Sequence, residues 1–422
     1  MLPRQVFARA DLSAAEGETG IAAPASKGRE DLAIRDRRVS DRVQLFPESV
    51  IREMTRIAHV HGAVNLAQGF PDFDPPRELT EAAKRALDGG HNQYSITWGA
   101  RELRESIARR AKEFNGIDAD PEANLVVTCG STEAMMAAML SLVNPGDEAV
   151  IFEPFYENYG PDAIVSGARP RYVRMRWPDW RLDEEELKAA FTRKTKALIL
   201  NTPNNPTGKV FTRDELKVIA DLCSDRDVVA VTDEIYEHIV FDGARHVSLA
   251  TIGDMADRTI TINGISKTYS ATGWRVGWAI APRTLANAMR RTHDFLTVGA
   301  PHPLQIAAVA ALNLPPSYYE DLANMYRAKR DLLVGGLKAA GLECHPPNGA
   351  YYVMVDFNRF LFADDWAFAM YLVERLRVAV VPGSSFYGRP EDGRRFVRFM
   401  FSKRDATLHD AISRLEGLKD VR

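Results

Sequence analysis

The fold turns on one passage: Ala197-Leu-Ile-Leu-Asn-Thr-Pro-Asn-Asn-Pro-Thr-Gly208, the stretch Asp214–Cys223, and then Val228-Val-Ala-Val-Thr-Asp-Glu-Ile-Tyr236. Two short apolar runs, rich in β-branched and aliphatic residues, flank a segment whose apolar positions recur at helical spacing. Each run stops abruptly on polar residues. That is the pattern of strand, helix and strand, and its repetition argues for a mostly parallel sheet covered by helices on both faces.

Working outward, the alternation continues in both directions. Further strand candidates are Leu125–Thr128, Ala149–Phe152, Arg171–Arg174, Thr259–Ile262 and Val276–Ile280, which with Ala197–Leu200 and Val228–Thr232 make seven. After Asn313 the spacing changes. A long amphipathic stretch, Tyr318 to Ala340, leads into short runs at Tyr351–Asp356, Val378–Val381 and Phe396–Phe399, a composition suited to a smaller α+β unit. Towards the start, order is expected near Val43, with a helix around Glu48 to His61. Residues 1–40 have no apolar run of the kind a secretory signal carries and read as a mobile arm. Asp11, Glu16 and Glu18 argue against an organellar address.

Composition bounds the function. A chain of 422 residues has room for two to three domains at roughly 150 residues each. Its 45% apolar and 26% charged residues suit a globular enzyme, and a net charge of −3 gives no bulk attraction for nucleic acid or anionic membrane. Three widely spaced cysteines, Cys129, Cys223 and Cys344, form neither a disulfide framework nor a zinc pattern, and point to the cytoplasm. Apolar runs such as Ala134 to Val143 are about half of the ~20 residues that span a bilayer. His59 and His61 point apart on a helix, and no metal-binding spacing is present. Nucleotide hydrolase and serine esterase signatures are missing too.

In open α/β sheets ligands collect beyond the carboxyl ends of the strands. Four polar clusters fall there. Gly130-Ser131-Thr132 opens a helix, Glu133–Leu142, and its small residues admit a phosphate to the positive end of that helix, although the same triplet is also an ordinary cap. Asn201 to Gly208 reads equally well as a rigid turn. Asp233-Glu-Ile-Tyr236 places a carboxylate directly after a buried strand, which is costly unless it caps or meets a cation. Asn263-Gly-Ile-Ser-Lys267-Thr-Tyr-Ser-Ala-Thr-Gly-Trp-Arg275-Val-Gly277 supplies a nucleophilic amine and a planar anion clamp. Together the clusters offer what pyridoxal phosphate needs: a lysine, a carboxylate for the pyridine nitrogen, donors for the ring oxygen and a phosphate cradle.

These residues resemble the class I/II aminotransferases of pyridoxal-phosphate fold type I, from about Val43 to the last helix. The combination of Asn-Asn-Pro-Thr-Gly, Asp-Glu-Ile-Tyr, Ser-Lys-Thr and Thr-Gly-Trp-Arg carries the resemblance. Asn65-Leu-Ala-Gln-Gly-Phe-Pro-Asp-Phe73 and Asn92-Gln-Tyr94 resemble the kynurenine/glutamine transaminase branch, which bacterial methionine and succinyl-diaminopimelate aminotransferases also resemble. The resemblance implies an arm (1–40), an N-terminal segment packing with the small domain (41–75), a large cofactor-binding domain (76–312) and a C-terminal small domain (313–422).

It also implies roles. Lys267 is expected to be the Schiff-base lysine and to move the α-proton, and Asp233 to pair with the pyridine nitrogen. Tyr236 and Asn205 are expected to hold the ring oxygen, with Tyr156 against the ring face. Ser131, Thr132 and Arg275 are expected at the phosphate, joined by Tyr94 from the second subunit of a homodimer. Arg398 is expected to clamp the substrate α-carboxylate, with the Gly69 backbone and Asn205 assisting.

Two positions depart from relatives. Gly130-Ser-Thr stands where many kynurenine aminotransferases have Gly-Gly before Tyr, and Gly264 where some relatives place a phosphate-binding Ser. The expected reaction transfers an amino group from an L-amino acid to a 2-oxo acid by ping-pong kinetics. β-Elimination, racemisation or oxidation on the same scaffold is the first alternative. A non-catalytic regulator is the second, although the arm is too short for a winged helix. Arg101, Arg104, Trp98 and Val298–His302 are candidates for the side-chain pocket.

Overall fold

The structure, a computed structural model, describes residues 38–421. The expected arm lies outside the described residues except for its last three. Residues 38–47 belong to one unit, and from Glu48 onward the chain forms another, compact one. All that follows concerns the latter.

Its strands in chain order are β1 (Val64–Asn65), β2 (Leu125–Thr128), β3 (Glu148–Glu153), β4 (Arg169–Arg174), β5 (Thr195–Asn201), β6 (Val229–Asp233), β7 (Thr259–Gly264), β8 (Gly277–Ile280), β9 (Glu343–Cys344), β10 (Tyr352–Asp356), β11 (Val378–Ala379), β12 (Val381–Pro382) and β13 (Phe396–Met400). The seven strands expected between residues 125 and 280 form one sheet in the order β2-β8-β7-β6-β5-β3-β4. β3, β4, β5, β6 and β7 pair in parallel, and β8 lies antiparallel to both of its neighbours. Inner strands such as β7 and β8 are buried at every position, so their side chains meet helices on both faces.

The helices begin and end where local chemistry directs. In Arg213–Asp225 a Thr212/Glu215 capping box satisfies the first amides, and Leu216, Ile219, Ala220 and Cys223 fall on one face and are buried. Val50–Val60 starts at Ser49, whose side chain accepts from the Arg52 amide, and buries Ile51, Met54 and Ala58. The long amphipathic segment is a 24-residue helix, Pro316–Ala339.

A four-stranded antiparallel sheet, β12-β13-β10-β9, carries the C-terminal part. Here one expectation needs correction. Val378–Val381 is not a single strand. β11 pairs in parallel with β1, whereas β12 pairs with β13 in the other sheet. The chain changes partner at Val380, and a run of four buried apolar residues carries no mark of that switch.

The orientation of β8 matters most for function. Because it runs against its neighbours, it begins at the edge where β2 and β7 end. Gly277 stands opposite both Thr128 and Gly264. Arg275, just ahead of β8, is thereby delivered to the edge where the parallel strands release their polar residues. Gly264 is explained by the same pairing. A Cβ there would lie 2.8 Å from the Val276 carbonyl oxygen, so no side chain fits.

Candidate active site

At that edge β2 ends on Thr128, β5 on Asn201 and β6 on Asp233, while β7 runs on into Lys267. Two breaks in regular backbone shape the cradle. Gly130 has φ +82 and ψ 167, a conformation essentially confined to glycine, and it caps helix Ser131–Leu142 without any side chain. The first amides of that helix therefore face outward with no side-chain acceptor from the cap residue, at the positive end of the helix. Arg275, left-handed at φ +54, lays its guanidinium against Gly130. Its Nη1 donates to the Thr272 carbonyl at 3.0 Å and its Nη2 to the Cys129 carbonyl at 3.4 Å. A Cβ on Gly130 would fall 2.2 Å from Nη2, and one on Gly277 would fall 2.5 Å from the Ser131 nitrogen. Small residues, free amides and a guanidinium form an anion cradle that fits a phosphate. Ser131 is half-buried in it and Thr132 is exposed at its rim.

The floor holds Lys267, whose Nζ donates to the Gly69 carbonyl at 3.1 Å and lies 5.9 and 5.8 Å from the ring centroids of Tyr236 and Tyr351. Burial lowers the pKa of this amine, and the positive fields of Arg275 and Arg398 add to that, against Tyr352 and Asp233. Asp233 is buried and accepts from the Tyr159 hydroxyl at 2.8 Å. Burial raises its pKa, while Tyr159, the Ile235 amide and Lys267 restrain the rise. An ionised Asp233 thus calls for a cation, and a protonated pyridine nitrogen suits it. Tyr236 is buried and shares a 3.1 Å hydrogen bond with the hydroxyl of Tyr352. Tyr156 stands edge-on to Tyr159, ring centroids 5.7 Å apart.

Arg398, on β13, is fully buried. Its Nη1 donates to Asn205 Oδ1 at 2.8 Å and its Nη2 to the carbonyl of Ala67. Its charge lies over the rings of Tyr352 and Phe386, 4.3 and 4.9 Å from their centroids, and its Nε has no partner. A buried guanidinium with a donor to spare is suited to a carboxylate.

The expected residues Lys267, Asp233, Tyr236, Asn205, Arg275, Gly69 and Arg398 are therefore brought together, with Ser131 at the cradle. Tyr94 is not among them. It is 84% exposed on this chain's own surface. Of the side-chain pocket candidates, Arg101 pairs with Glu105 on an exposed helix face, and buried Arg104 donates to the carbonyls of Gly99 and Pro121. Trp98 packs beneath Arg290, whose guanidinium carbon is 4.9 Å from its ring centroid.

Tyr159, Tyr351 and Tyr352 belong to the site and were not expected there. Tyr159 sits six residues beyond β3, and Tyr351 follows a left-handed Ala350 just ahead of Tyr352, which opens β10. Two adjacent phenols at the start of a strand were the available signal.

Glu234, Glu237 and His246 bring one potential ligand atom each within 4.8 Å of one another. Protein donors already occupy the Glu234 carboxylate: Thr232 and Ser248 at 2.9 Å and His246 at 2.8 Å.

The family profile for aminotransferase class I and II matches residues 61–415. The chain belongs to that family. Among its relatives, a probable N-succinyldiaminopimelate aminotransferase from Mycobacterium tuberculosis is 40% identical over 391 residues, covering 90% of this chain and 98% of the relative. The methionine aminotransferase of Escherichia coli is 35% identical over 370 residues, covering 88% and 96%. Of solved structures, the M. tuberculosis N-succinyldiaminopimelate aminotransferase superposes with a TM-score of 0.88 at 40% identity, over 90% of this chain and all of that one. Thermus thermophilus aspartate aminotransferase with maleate gives 0.84 at 33% identity, over 91% of this chain and all of that one. The protein is an aminotransferase of fold type I, with pyridoxal phosphate as its cofactor.

Proposed function

We propose that this aminotransferase carries the amino group of an L-amino acid to a 2-oxo acid in two half-reactions, with Lys267 as the base and Arg398 as the carboxylate clamp. One observation carries the reading. Arg398 and Lys267, 131 positions apart in the chain, reach the same short strap of main chain, the carbonyls of Ala67 and Gly69. An amino acid clamped at Arg398 is thus presented beside the Lys267 amine.

Pyridoxal phosphate, when bound, supplies a conjugated ring that takes up the electron pair left at the substrate Cα. The rest is done by side chains. Helix Ser131–Leu142, Ser131, Thr132 and Arg275 would hold the phosphate. Asp233, oriented by Tyr159, would hold the pyridine nitrogen in its protonated form, while Tyr236 and Asn205 would address the ring oxygen and Tyr156 would cover the ring face. Lys267 would anchor the cofactor and, once released, its Nζ would take the α-proton and return it. Burial and two neighbouring guanidiniums favour the neutral amine that a base must be.

In the same reading, residues 76–312 act as the large domain and 313–422 as the small one, with residues 41–75 packing against the latter. Tyr94 serves the phosphate of a second subunit in a homodimer. The three unpaired cysteines support a cytoplasmic location, and among the described residues no helix is long and apolar enough to cross a membrane.

Borohydride reduction of the yellow holoenzyme should attach the cofactor to the peptide containing Lys267, and Lys267→Ala should bind cofactor without turning over. A label on any other lysine would sink the assignment. A panel of amino donors, scored for oxo-acid-dependent turnover against release of ammonia and pyruvate, separates transamination from elimination and identifies the donor.

A further inference from the structure

Tyr352 has no part in the roles set out above, yet it touches Tyr236, Arg398 and Gly69, which do. Its hydroxyl is 3.1 Å from that of Tyr236. Its ring lies beneath the Arg398 guanidinium, 4.3 Å from centroid to carbon, and edge-on to the Tyr236 ring. Its hydroxyl fills the space above Gly69, where a Cβ would come within 1.8 Å of it. It is fully enclosed at the first position of β10, opposite Met400 of β13, so its backbone is fixed by the same pair of strands that carries Arg398.

A count of protons gives this geometry a direction. Each phenol has one hydrogen to donate. Tyr351 uses its own on the Gly69 carbonyl, at 3.0 Å, where Lys267 also donates. The Tyr236 hydroxyl, on the reading above, has to aim its hydrogen at an anionic ring oxygen. The Tyr236 oxygen is then free to accept, and Tyr352 is the donor in reach. A hydroxyl that accepts a hydrogen bond becomes a better donor.

We propose that Tyr352 is a positioning residue for transamination: its hydroxyl donates to Tyr236 and so orients and strengthens the Tyr236 hydrogen bond to the cofactor's ring oxygen, while its ring sets the plane of Arg398. The proposal rests on the assignment of Tyr236 to that oxygen. The two halves of the side chain have separable tasks, the hydroxyl serving the cofactor and the ring serving the carboxylate clamp.

The test uses the holoenzyme and reads its colour. A donor to the ring oxygen matters most when the lysine-bound chromophore has lost its proton, because the oxygen's charge is then uncompensated. Weakening that donor therefore moves the spectrophotometric midpoint of proton loss to higher pH. For Tyr352→Phe, which keeps the ring and the packing, the expected rise is roughly 0.1–0.7 pH units, from a 10–30% weakening of one hydrogen bond to a charged acceptor. Tyr236→Phe should raise the midpoint further, and Tyr236→Phe/Tyr352→Phe should match Tyr236→Phe alone. KM for the amino donor should stay unchanged in Tyr352→Phe and rise in Tyr352→Leu, which removes the ring beneath Arg398.

A Tyr352→Phe midpoint equal to wild type, while Tyr236→Phe moves it, would overturn the proposal and leave the site assignment standing. A double variant that adds the two shifts would show that Tyr352 does not act through Tyr236. An unmoved midpoint in Tyr236→Phe would overturn the assignment of Tyr236, and Tyr352's role with it.

Discussion

Gly130→Ala is the sharpest probe of the phosphate cradle, because one methyl group meets two constraints. The backbone at φ +82 and ψ 167 lies where an L side chain is strained, at about 1–3 kcal/mol. The added Cβ would also stand 2.2, 2.6 and 2.9 Å from Nη2, Cζ and Nη1 of Arg275. Arg275 must swing away or the loop must rearrange, and either outcome breaks the alignment of guanidinium and helix amides. Loss of one hydrogen bond to a charged group costs about 1.5–3 kcal/mol, which is about ten- to 150-fold in affinity. The assay is titration of the apo-protein with pyridoxal phosphate, followed by absorbance, with thermal melting of the apo form run alongside. The variant should melt somewhat lower without cofactor and bind cofactor more weakly by the factor above. A variant that keeps the wild-type dissociation constant would refute both the cradle and the placement of Arg275 in it.

Three further outcomes are expected. Arg398→Ala should lower kcat/KM for amino donors by about ten- to several-hundred-fold while cofactor affinity changes far less, since a charge-assisted pair is worth about 1.5–3 kcal/mol; an unchanged kcat/KM would assign the carboxylate elsewhere. Burial pushes the Glu237 carboxyl up from the ordinary 4.5 to about 7, with Glu234 adding to it and His246 and Asn115 opposing. The folded protein therefore holds a proton that the unfolded chain releases, and stability falls as pH rises from about 4.5 through about 7, by on the order of 3 kcal/mol. Glu237→Gln should flatten that slope in denaturant melts across the window, and a variant as pH-dependent as wild type would refute the assignment. Finally, Tyr94→Glu should impair cofactor binding in the partner subunit, as unit charges at ~4 Å repel by about 4 kcal/mol at an effective dielectric of 20. Mixed dimers of Tyr94→Glu and Lys267→Ala should regain activity, and no recovery in a verified heterodimer would place Tyr94 outside the partner's site.

Much of the sheet is visible in one dimension because its strands are short, apolar and stopped by polar residues. What stops them, at Asn201, Asp233 and the loop to Lys267, is also what gathers at the strand ends. Direction is another matter. A strand buried on both faces reads the same whether it runs with or against its neighbours, so nothing in Val276–Ile280 announced that β8 is antiparallel. The sheet change at Val380 escaped for the same reason. The tyrosines escaped because their partners are remote: Tyr352 meets Tyr236 across 116 positions, and Tyr159 meets Asp233 across 74. Arg101 and Arg104 show the converse. Close in sequence, they part in space, because helix Arg101–Arg110 turns one to solvent and the other into the protein.

The strap from Leu66 to Phe70 meets its cationic neighbours through oxygens of the peptide bonds: Ala67 faces Arg398, Gly69 faces Lys267, and Phe70 faces Lys403 at 3.0 Å. Main-chain atoms are common to every residue. The acceptors that meet these cations are therefore set by the path of the backbone and not by the side chains along it. The side chains have constraints of their own: Gly69 is held to glycine by the Tyr352 hydroxyl, and Leu66 and Ala67 are buried in the core. A change of side chain at half-buried Phe70 would thus leave the carbonyls that face the amine and the guanidinium where they are.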